Sequence, residues 1–217
     1  MDEATNPRER AAEVDVEPRA RVYGIFATLL LRALTEAEQP QVVEMLGHVA
    51  EAVGRSLETG QLVRADVRSE FQQLFLIPLP ARDVSLYGSA YRGDNSQAWG
   101  DVSLTLAALA NACGVTWQTG EYGPDRAYLI DPDHLGLMLT LLAEVIERKY
   151  QGQAAPLADR PPDEWAAWLR SDLLQWVPTL AQRVAAQDWA VFYPEVLDLL
   201  LRYLALDDEM EKAAGNS

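Results

Sequence analysis

The sequence predicts an all-α fold, a single-domain helical bundle of seven to eight or more helices. Apolar residues return every three or four positions along most of the 217-residue chain, which is the spacing of one helix face. Alternating segments with β-branched enrichment, which would predict strands, are absent from the sequence. A composition of 49% hydrophobic and 24% charged residues suits a globular domain of this length with its own core.

The N-terminal part is predicted to contain a tail and two helices. Residues 1–17 mix acids, arginines and alanines without periodicity, which indicates a mobile tail. A helix is predicted over residues 18–34, where an apolar stripe begins. Thr35 is predicted to cap a second helix, because Glu38 follows three residues later and completes a capping box.

A third helix is predicted over residues 61–76, and it ends before Pro78 because proline cannot continue a helix interior. Residues 77–95 then form the longest stretch without clear periodicity. Long loops are often functional, and this one keeps large side chains that a solvated loop would lack. They are Leu79, Val84, Leu86, Tyr87 and Tyr91. The loop is therefore predicted to lie against the core or a partner.

A fourth helix is predicted over residues 96–113, ended by Gly114. Cys113 lies at its carboxyl end, where the helix field opposes a thiolate, so a packed side chain is expected rather than a catalytic thiol. Residues 115–130 form a second irregular stretch that leads into the next helix.

The central helix is predicted to start at Asp131 or Pro132, because an Asp cap followed by Pro is a strong start signal. Apolar residues on most sides indicate that this helix is buried. They include Leu135, Leu137, Met138, Leu139, Leu141, Leu142, Val145 and Ile146. Its first turn is predicted to carry Asp133 and His134, an acid and a side chain that titrates near neutral pH.

The C-terminal third is predicted to contain a connector and two helical regions. Residues 152–162 form a proline-rich connector, and residues 163–187 form a helix that Pro178 kinks or divides into two. A final helix over residues 190–206 completes the domain, which spans residues 18–206. Residues 207–217 are predicted to be an acidic, frayed tail.

The charge and residue counts exclude several classes of function. A formal charge of −15 argues against nucleic acid and anionic membranes as partners. One cysteine allows no intramolecular disulfide, which favours the cytoplasm, and no apolar run predicts an export signal or a stable membrane insertion. Two histidines, one cysteine and no phosphate-binding loop predict neither a metal nor a cofactor. No catalytic motif is present, so an enzyme is not expected.

Three motifs resemble the redox enzyme maturation chaperones, the family of the TorD, DmsD and NarJ proteins. The first begins at Glu70 as E-F-x-x-L-F-x-x-P and ends at Pro78, and the second is Y-x-S-x-Y, formed by Tyr87, Ser89 and Tyr91. The third is P-D-H-L from Pro132, at the start of the buried helix. They follow the family's order over about residues 20 to 206.

The resemblance implies a cytoplasmic chaperone that binds a molybdenum-cofactor oxidoreductase, at its twin-arginine signal peptide or its apo catalytic subunit. Such a chaperone assists cofactor insertion and delays export until insertion is complete. Residues matched to the family's peptide-binding region are Pro78, Tyr87, Ser89, Tyr91, Pro132, Asp133 and His134. Glu70 joins this predicted site, although a core or cap role is favoured for it.

Asp133 is expected to accept the peptide's guanidinium group and His134 to form a hydrogen-bonding or pH-sensitive rim. A purely local role for Asp133 stays open, because an acid in the first turn stabilises its own helix by about 0.3–1 kcal/mol.

Two alternatives to the client-specific chaperone remain at this point. One is a nucleotide-binding or nucleotide-hydrolysing enzyme, and the other is a non-catalytic helical subunit of a redox complex. The sequence also leaves open whether the chain is a monomer or a dimer that swaps helices through the connector.

Overall fold

The computed structural model describes residues 7–77, 84–92, 100–116, 120–121, 127–128 and 131–215, and this part of the chain contains eight α-helices. They are α1 (Pro7–Leu31), α2 (Gln39–Ala52), α3 (Thr59–Leu62), α4 (Val67–Phe71), α5 (Asp101–Cys113), α6 (Leu135–Tyr150), α7 (Pro162–Ala185) and α8 (Phe192–Gly215). A π-helical turn, Gln72–Leu76, follows α4, and a 3₁₀ turn spans Gly88–Ala90. The predicted all-α class is confirmed.

Two short strands lie in the stretch predicted to be irregular. β1 (Gly120–Glu121) and β2 (Ala127–Tyr128) pair antiparallel, with Gly120 opposite Tyr128. Each has two residues, so the pair carries no sequence periodicity that could predict it.

Helix α6 forms the centre of the bundle. It packs most extensively against α1 and also contacts α5 and α7, while α8 packs against α7, α2 and α4. Gly136 allows the close approach of α1, because a Cβ atom there would lie 2.6 Å from Cγ of Leu31. The buried side chains of α6 are those that its apolar pattern predicts, among them Leu135, Met138, Leu142 and Ile146.

The two long terminal helices extend beyond the predicted limits. α1 begins at Pro7 rather than Pro18, because residues 7–17 are rich in Arg, Glu and Ala, which favour helix without an apolar stripe. Residues 1–6 lie outside the described residues. α8 continues to Gly215 through the predicted frayed tail. Asp207 explains this continuation, since it is only 2% exposed and binds arginines of α1 and α7.

Three internal boundaries also differ from the predictions. The predicted third helix is divided into α3, α4 and the π-helical turn, with Asp66 accepting a hydrogen bond from the Ser69 amide at the start of α4. α7 continues through Pro178 as one helix, so a division into two helices is wrong. α5 starts at Asp101, and residues 93–99 before it lie outside the described residues.

The predicted capping box forms only in part. The Glu38 carboxylate accepts a hydrogen bond from the Thr35 amide at 2.9 Å, but α2 begins at Gln39, after a turn. Within the described ranges, no helix combines the length and the apolar character needed to cross a bilayer.

Candidate functional site

The segment 84–92 lies directly against the start of α6. The Leu135 amide donates to the Leu86 carbonyl at 2.8 Å, and the Gly88 amide donates to the Asp133 carbonyl at 3.1 Å. Tyr87 and His134 form an antiparallel bridge between these two bonds. The two segments that the family resemblance assigns to one region are therefore joined through their backbones.

This pairing moves the start of α6. His134 has an extended backbone and is the N-cap, so α6 begins at Leu135, and the predicted start at Asp131 or Pro132 is wrong. The Asp133 carbonyl and the Leu135 amide, on either side of His134, are bonded to the neighbouring loop, and this pairing holds His134 in its extended conformation. Asp133 therefore precedes the helix instead of lying in its first turn.

The side chain of Asp133 holds the loop. Its Oδ2 atom accepts a hydrogen bond from the Ser89 amide at 2.7 Å and lies 3.5 Å from Nη1 of Arg92. The side chain is 1% exposed, and its Oδ1 atom is buried without a hydrogen-bond partner among the described residues. A buried carboxylate with spare accepting capacity is the feature of this region that most needs an explanation.

Arg92 connects Asp133 to α7. Its Nη2 atom lies 2.5 Å from Oδ2 of Asp172, which also accepts a hydrogen bond from the Trp176 indole at 3.2 Å. We call Arg92, Asp133, Asp172 and Trp176 the loop site. It brings together two acids from separate parts of the fold around one guanidinium group.

No sequence motif predicted that Arg92, Asp172 or Trp176 belongs to the site. Asp172 lies on an otherwise apolar helix face, four residues before Trp176, and this pairing was the available signal. Arg92 directly follows the Y-x-S-x-Y motif, but its partner is 80 residues away in sequence. No local pattern predicts such a contact.

Tyr91 stabilises the loop from inside. Its hydroxyl donates to the Ser85 carbonyl at 2.8 Å and accepts from the Ser85 amide at 3.1 Å. Its ring stacks on Trp176, with ring centroids 5.6 Å apart. The guanidinium carbon of Arg183 lies over the Tyr91 ring, 4.8 Å from the ring centroid. Tyr91 therefore links the loop to α7 through an aromatic contact.

His134 lies beneath the loop rather than at an exposed rim. It is 2% exposed, its Nδ1 atom accepts the Gly136 amide at 3.2 Å, and its ring meets Tyr87 edge-on with centroids 5.0 Å apart. Burial lowers the pKa of His134 to about 3, so this imidazole is neutral near physiological pH. Burial, and then the charge of Asp133, raise the pKa of the nearby Asp131.

Two of the predicted site residues, Glu70 and Pro78, are not part of the loop contacts that the structure describes. Glu70 caps α8: Oε1 accepts from the Tyr193 amide at 2.6 Å, and Oε2 accepts from the amides of Val191 and Phe192. Pro78 lies outside the described residues. Pro132 is buried beside the loop site. The structure thus gathers Tyr87, Ser89, Tyr91, Pro132, Asp133 and His134 and places Glu70 at a helix start.

A separate cleft of about 1000 Å³ lies where the turn after α1 meets α3 and α4. It is lined by polar and apolar residues in similar measure, including Arg32, Arg64, Arg68, Asp66 and Phe71. None of the loop-site residues lines it, so the loop site is distinct from this cleft.

An all-helical bundle whose site consists of loop contacts and ion pairs has the features of a binding protein. The family model described as nitrate reductase delta subunit matches residues 35–182. The chain therefore belongs to this family, and the resemblance to the TorD, DmsD and NarJ chaperones is confirmed. Members of the family are chaperones and not catalytic enzymes.

Relatives extend the similarity over nearly the whole chain. The chaperone protein TorD of Vibrio vulnificus is 24% identical over 212 residues, which cover 89% of this chain and 94% of the relative. The chaperone protein TorD of Photobacterium profundum is 22% identical over 209 residues, which cover 88% and 93%. Family and relatives together support the predicted class, a chaperone of molybdoenzyme maturation.

Proposed function

We propose that this chain is a cytoplasmic chaperone that binds the twin-arginine signal peptide of a molybdenum-cofactor oxidoreductase. It holds this client until the cofactor has been inserted and thereby delays export. The peptide binds at the segment 84–92 and the start of α6. The observation that carries the proposal is that Asp133 and Asp172 already surround a guanidinium group.

Charge supports an arginine-bearing partner. The chain carries a formal charge of −15, which attracts a basic segment over several ångströms of solvent and disfavours acidic ones. Carboxylates bind guanidinium better than ammonium, because the planar fork of arginine matches two acceptor oxygens. Recognition of arginine over lysine at the loop site follows from this difference.

The loop also offers apolar surface for the stretch that follows the arginines in such a peptide. Tyr87 and Tyr91 are half-buried in the loop, and Ile77, the last described residue before it, is 44% exposed. Each buried square ångström of apolar surface contributes roughly 25 cal/mol. Tyr91 contacts the same Trp176 ring as Arg92, so an apolar stretch that follows the arginines would meet aromatic surface beside the acids.

Fluorescence anisotropy with a labelled Arg-Arg signal peptide and its Lys-Lys variant tests the proposal. We expect the wild type to bind the Arg-Arg peptide at least about tenfold more tightly, since charge-assisted bidentate bonds are lost with lysine. Asp133→Asn and Asp172→Asn should each weaken Arg-Arg binding by a similar factor.

Asp208→Asn is the matched control, because it removes the same charge from α8, where Asp208 pairs with Lys212. It should bind as the wild type does. Equal affinities for both peptides, or an Asp133→Asn variant that binds like Asp208→Asn, would refute the proposed recognition. Binding of the mature oxidoreductase without its signal peptide would instead favour a subunit of a redox complex.

A further inference from the structure

We propose that Arg92 occupies a guanidinium-binding site formed by Asp133, Asp172 and Trp176, and that the arginine of a client displaces it. Arg92 is then an internal competitor that keeps the site closed until a client binds. This inference rests on the proposed function for the identity of the client, and on the contacts of Arg92 for the site itself.

The contacts around Arg92 are those that recognise a guanidinium group. Nη2 lies 2.5 Å from Oδ2 of Asp172, and Nη1 lies 3.5 Å from Oδ2 of Asp133. The guanidinium carbon lies 5.8 Å from the centroid of the Trp176 ring, and Nη2 lies 4.0 Å from the sulfur of Met138. Two carboxylates and an aromatic face form a receptor for a planar cation.

Arg92 fills this receptor incompletely. Its Nε atom is buried without a hydrogen-bond partner among the described residues, and so is Oδ1 of Asp133, a side chain that is 1% exposed. One donor and one acceptor of the same ion cluster are thus unused, which weakens the hold of the present occupant. A guanidinium group from another chain is not tied to the loop backbone at position 92, so it can meet the two carboxylates in a different orientation.

Arg92 is also the member of the cluster that can leave. Its side chain is 20% exposed, against 1% for Asp133 and 11% for Asp172, so it is the most accessible of the three. It follows a 3₁₀ turn and belongs to no helix, so its side chain can rotate without moving a helix backbone. Once it rotates away, Oδ2 of Asp133 and Oδ2 of Asp172 lose this guanidinium group and can accept another.

Gly88 lies directly behind the guanidinium group. A Cβ atom at this position would lie 2.5 Å from Nη2 and 2.6 Å from Cζ of Arg92, closer than atoms can pack. The atoms that would clash are the flexible end of the Arg92 side chain, so this side chain can move away while the backbone of the loop keeps its position. Gly88→Ala should therefore expel Arg92 without changing any charge, and its methyl group should then obstruct the same position for a guanidinium group from another chain.

The test compares Arg92→Gln and Gly88→Ala with the wild type in Arg-Arg peptide binding. Arg92→Gln should bind about tenfold more tightly, because it removes the competing occupied state and raises the fraction of competent protein. Gly88→Ala should gain no affinity, because its methyl group takes the space that the incoming guanidinium group needs. Arg202→Gln is the charge-matched control, since Arg202 is an exposed arginine of α8 paired with Asp198. It should bind as the wild type does.

If the wild type binds the peptide but Arg92→Gln gains no affinity over Arg202→Gln, or Gly88→Ala gains as much as Arg92→Gln, the inference is wrong and the proposed function stands. If no variant and no wild type binds the Arg-Arg peptide, the client is wrong together with the proposed function.

A small-molecule probe tests the receptor without any peptide. Ethylguanidinium should raise the Tm of Arg92→Ala measurably at concentrations where ethylammonium does not, and it should leave the wild type unchanged. The double variant Arg92→Ala, Asp172→Asn should lose this rise. An Arg92→Ala protein that ethylguanidinium does not stabilise would show that the acids form no guanidinium receptor.

Discussion

Two regions of this molecule use the same pair of residue types, aspartate and arginine, with different results. In the first, which we call the α8 anchor, Asp207 binds Arg19 of α1, Arg170 of α7 and the hydroxyl of Tyr23 at 2.8 Å. In the loop site, one arginine serves both Asp133 and Asp172.

The difference lies in the supply of donors and in the element that carries them. The α8 anchor has two arginines and a hydroxyl for the buried Asp207, and the more exposed Glu211 of α8 pairs with the same two arginines. All of these groups lie on long helices, and the side chains of Arg170 and Asp207 are 3% and 1% exposed. Burial, and then Asp207, raise the pKa of Tyr23, so this hydroxyl stays a donor. The loop site has two acids for one arginine on a loop. Where hydrogen-bond donors on helices outnumber the acids, as in the α8 anchor, the ion pairs are structural. Where one arginine on a loop serves two acids, as in the loop site, another guanidinium group can replace that arginine.

The largest expected effect concerns the α8 anchor. Asp207→Asn should lower the free energy of unfolding by about 3 kcal/mol, because it removes the buried counter-charge of Arg19 and Arg170 and leaves them only the more exposed Glu211. Urea unfolding measures this loss. The neighbouring Asp208→Asn, whose acid pairs with Lys212 one turn away, should change stability by less than about 0.5 kcal/mol. Similar losses for both variants would mean that burial does not separate these two acids.

The second prediction extends the comparison to the start of α8. Glu70→Gln should destabilise the protein by about 1–3 kcal/mol, because the carboxylate accepts three backbone amides there and an amide group opposes one of them. Its affinity for the Arg-Arg peptide should stay at the wild-type value. Glu44→Gln on the exposed side of α2 provides the control. If Glu70→Gln lost peptide affinity and kept the wild-type stability, Glu70 would be a peptide-binding residue and not a cap of α8.

The third prediction concerns pH and the N-cap of α6. Burial lowers the pKa of His134 to about 3 in the folded state, whereas the pKa in the unfolded state is about 6.5. Between these two values the unfolded state binds a proton at this residue and the folded state does not. Stability therefore falls as pH decreases from about 6.5 towards 3. Between pH 7 and pH 5 this one group should cost about 2 kcal/mol.

Urea unfolding at pH 7 and pH 5 checks this slope. His134→Asn keeps a capping side chain and should reduce the slope, whereas His48→Asn, at an exposed position of α2, should preserve it. Identical slopes for the two variants would show that His134 is not the source of the acid sensitivity.

The smallest expected effect is the loss of Arg92 itself. Arg92→Gln should cost about 1 kcal/mol or less, since Asp133 keeps the Ser89 amide and Asp172 keeps the Trp176 indole. Arg170→Gln, the corresponding change in the α8 anchor, should cost at least twice as much in the same urea experiment. If Arg92→Gln is the more destabilising variant, the ion pairs of the loop site are structural, as those of the α8 anchor are.

Much of the fold could be predicted from local patterns. The apolar faces of α2, α5 and α6 follow from residues spaced three and four apart, and the buried Cys113 was expected at the end of its helix. Burial raises the pKa of this thiol to about 11, in agreement with a packed and unreactive side chain.

The candidate site was predictable only in part. Family motifs indicated that the Tyr87 and Asp133 segments lie together, and the backbone bridge between Tyr87 and His134 joins them. The same bridge explains why the predicted start of α6 is wrong. A cap signal such as Asp131–Pro132 reflects only the local helix preference, and the pairing with the loop overrides it. The contact between Arg92 and Asp172 had no sequence signal at all.

The sequence by itself determined that this protein is helical and which faces of its helices are buried, since both depend on spacing within a few turns. Only the tertiary structure decided where α6 begins, how far α8 extends and which acid binds which arginine. Those outcomes depend on partners brought from distant segments, such as Tyr87 for His134 and Arg19 for Asp207. Electrostatic and backbone contacts between distant residues leave no periodic trace in the chain.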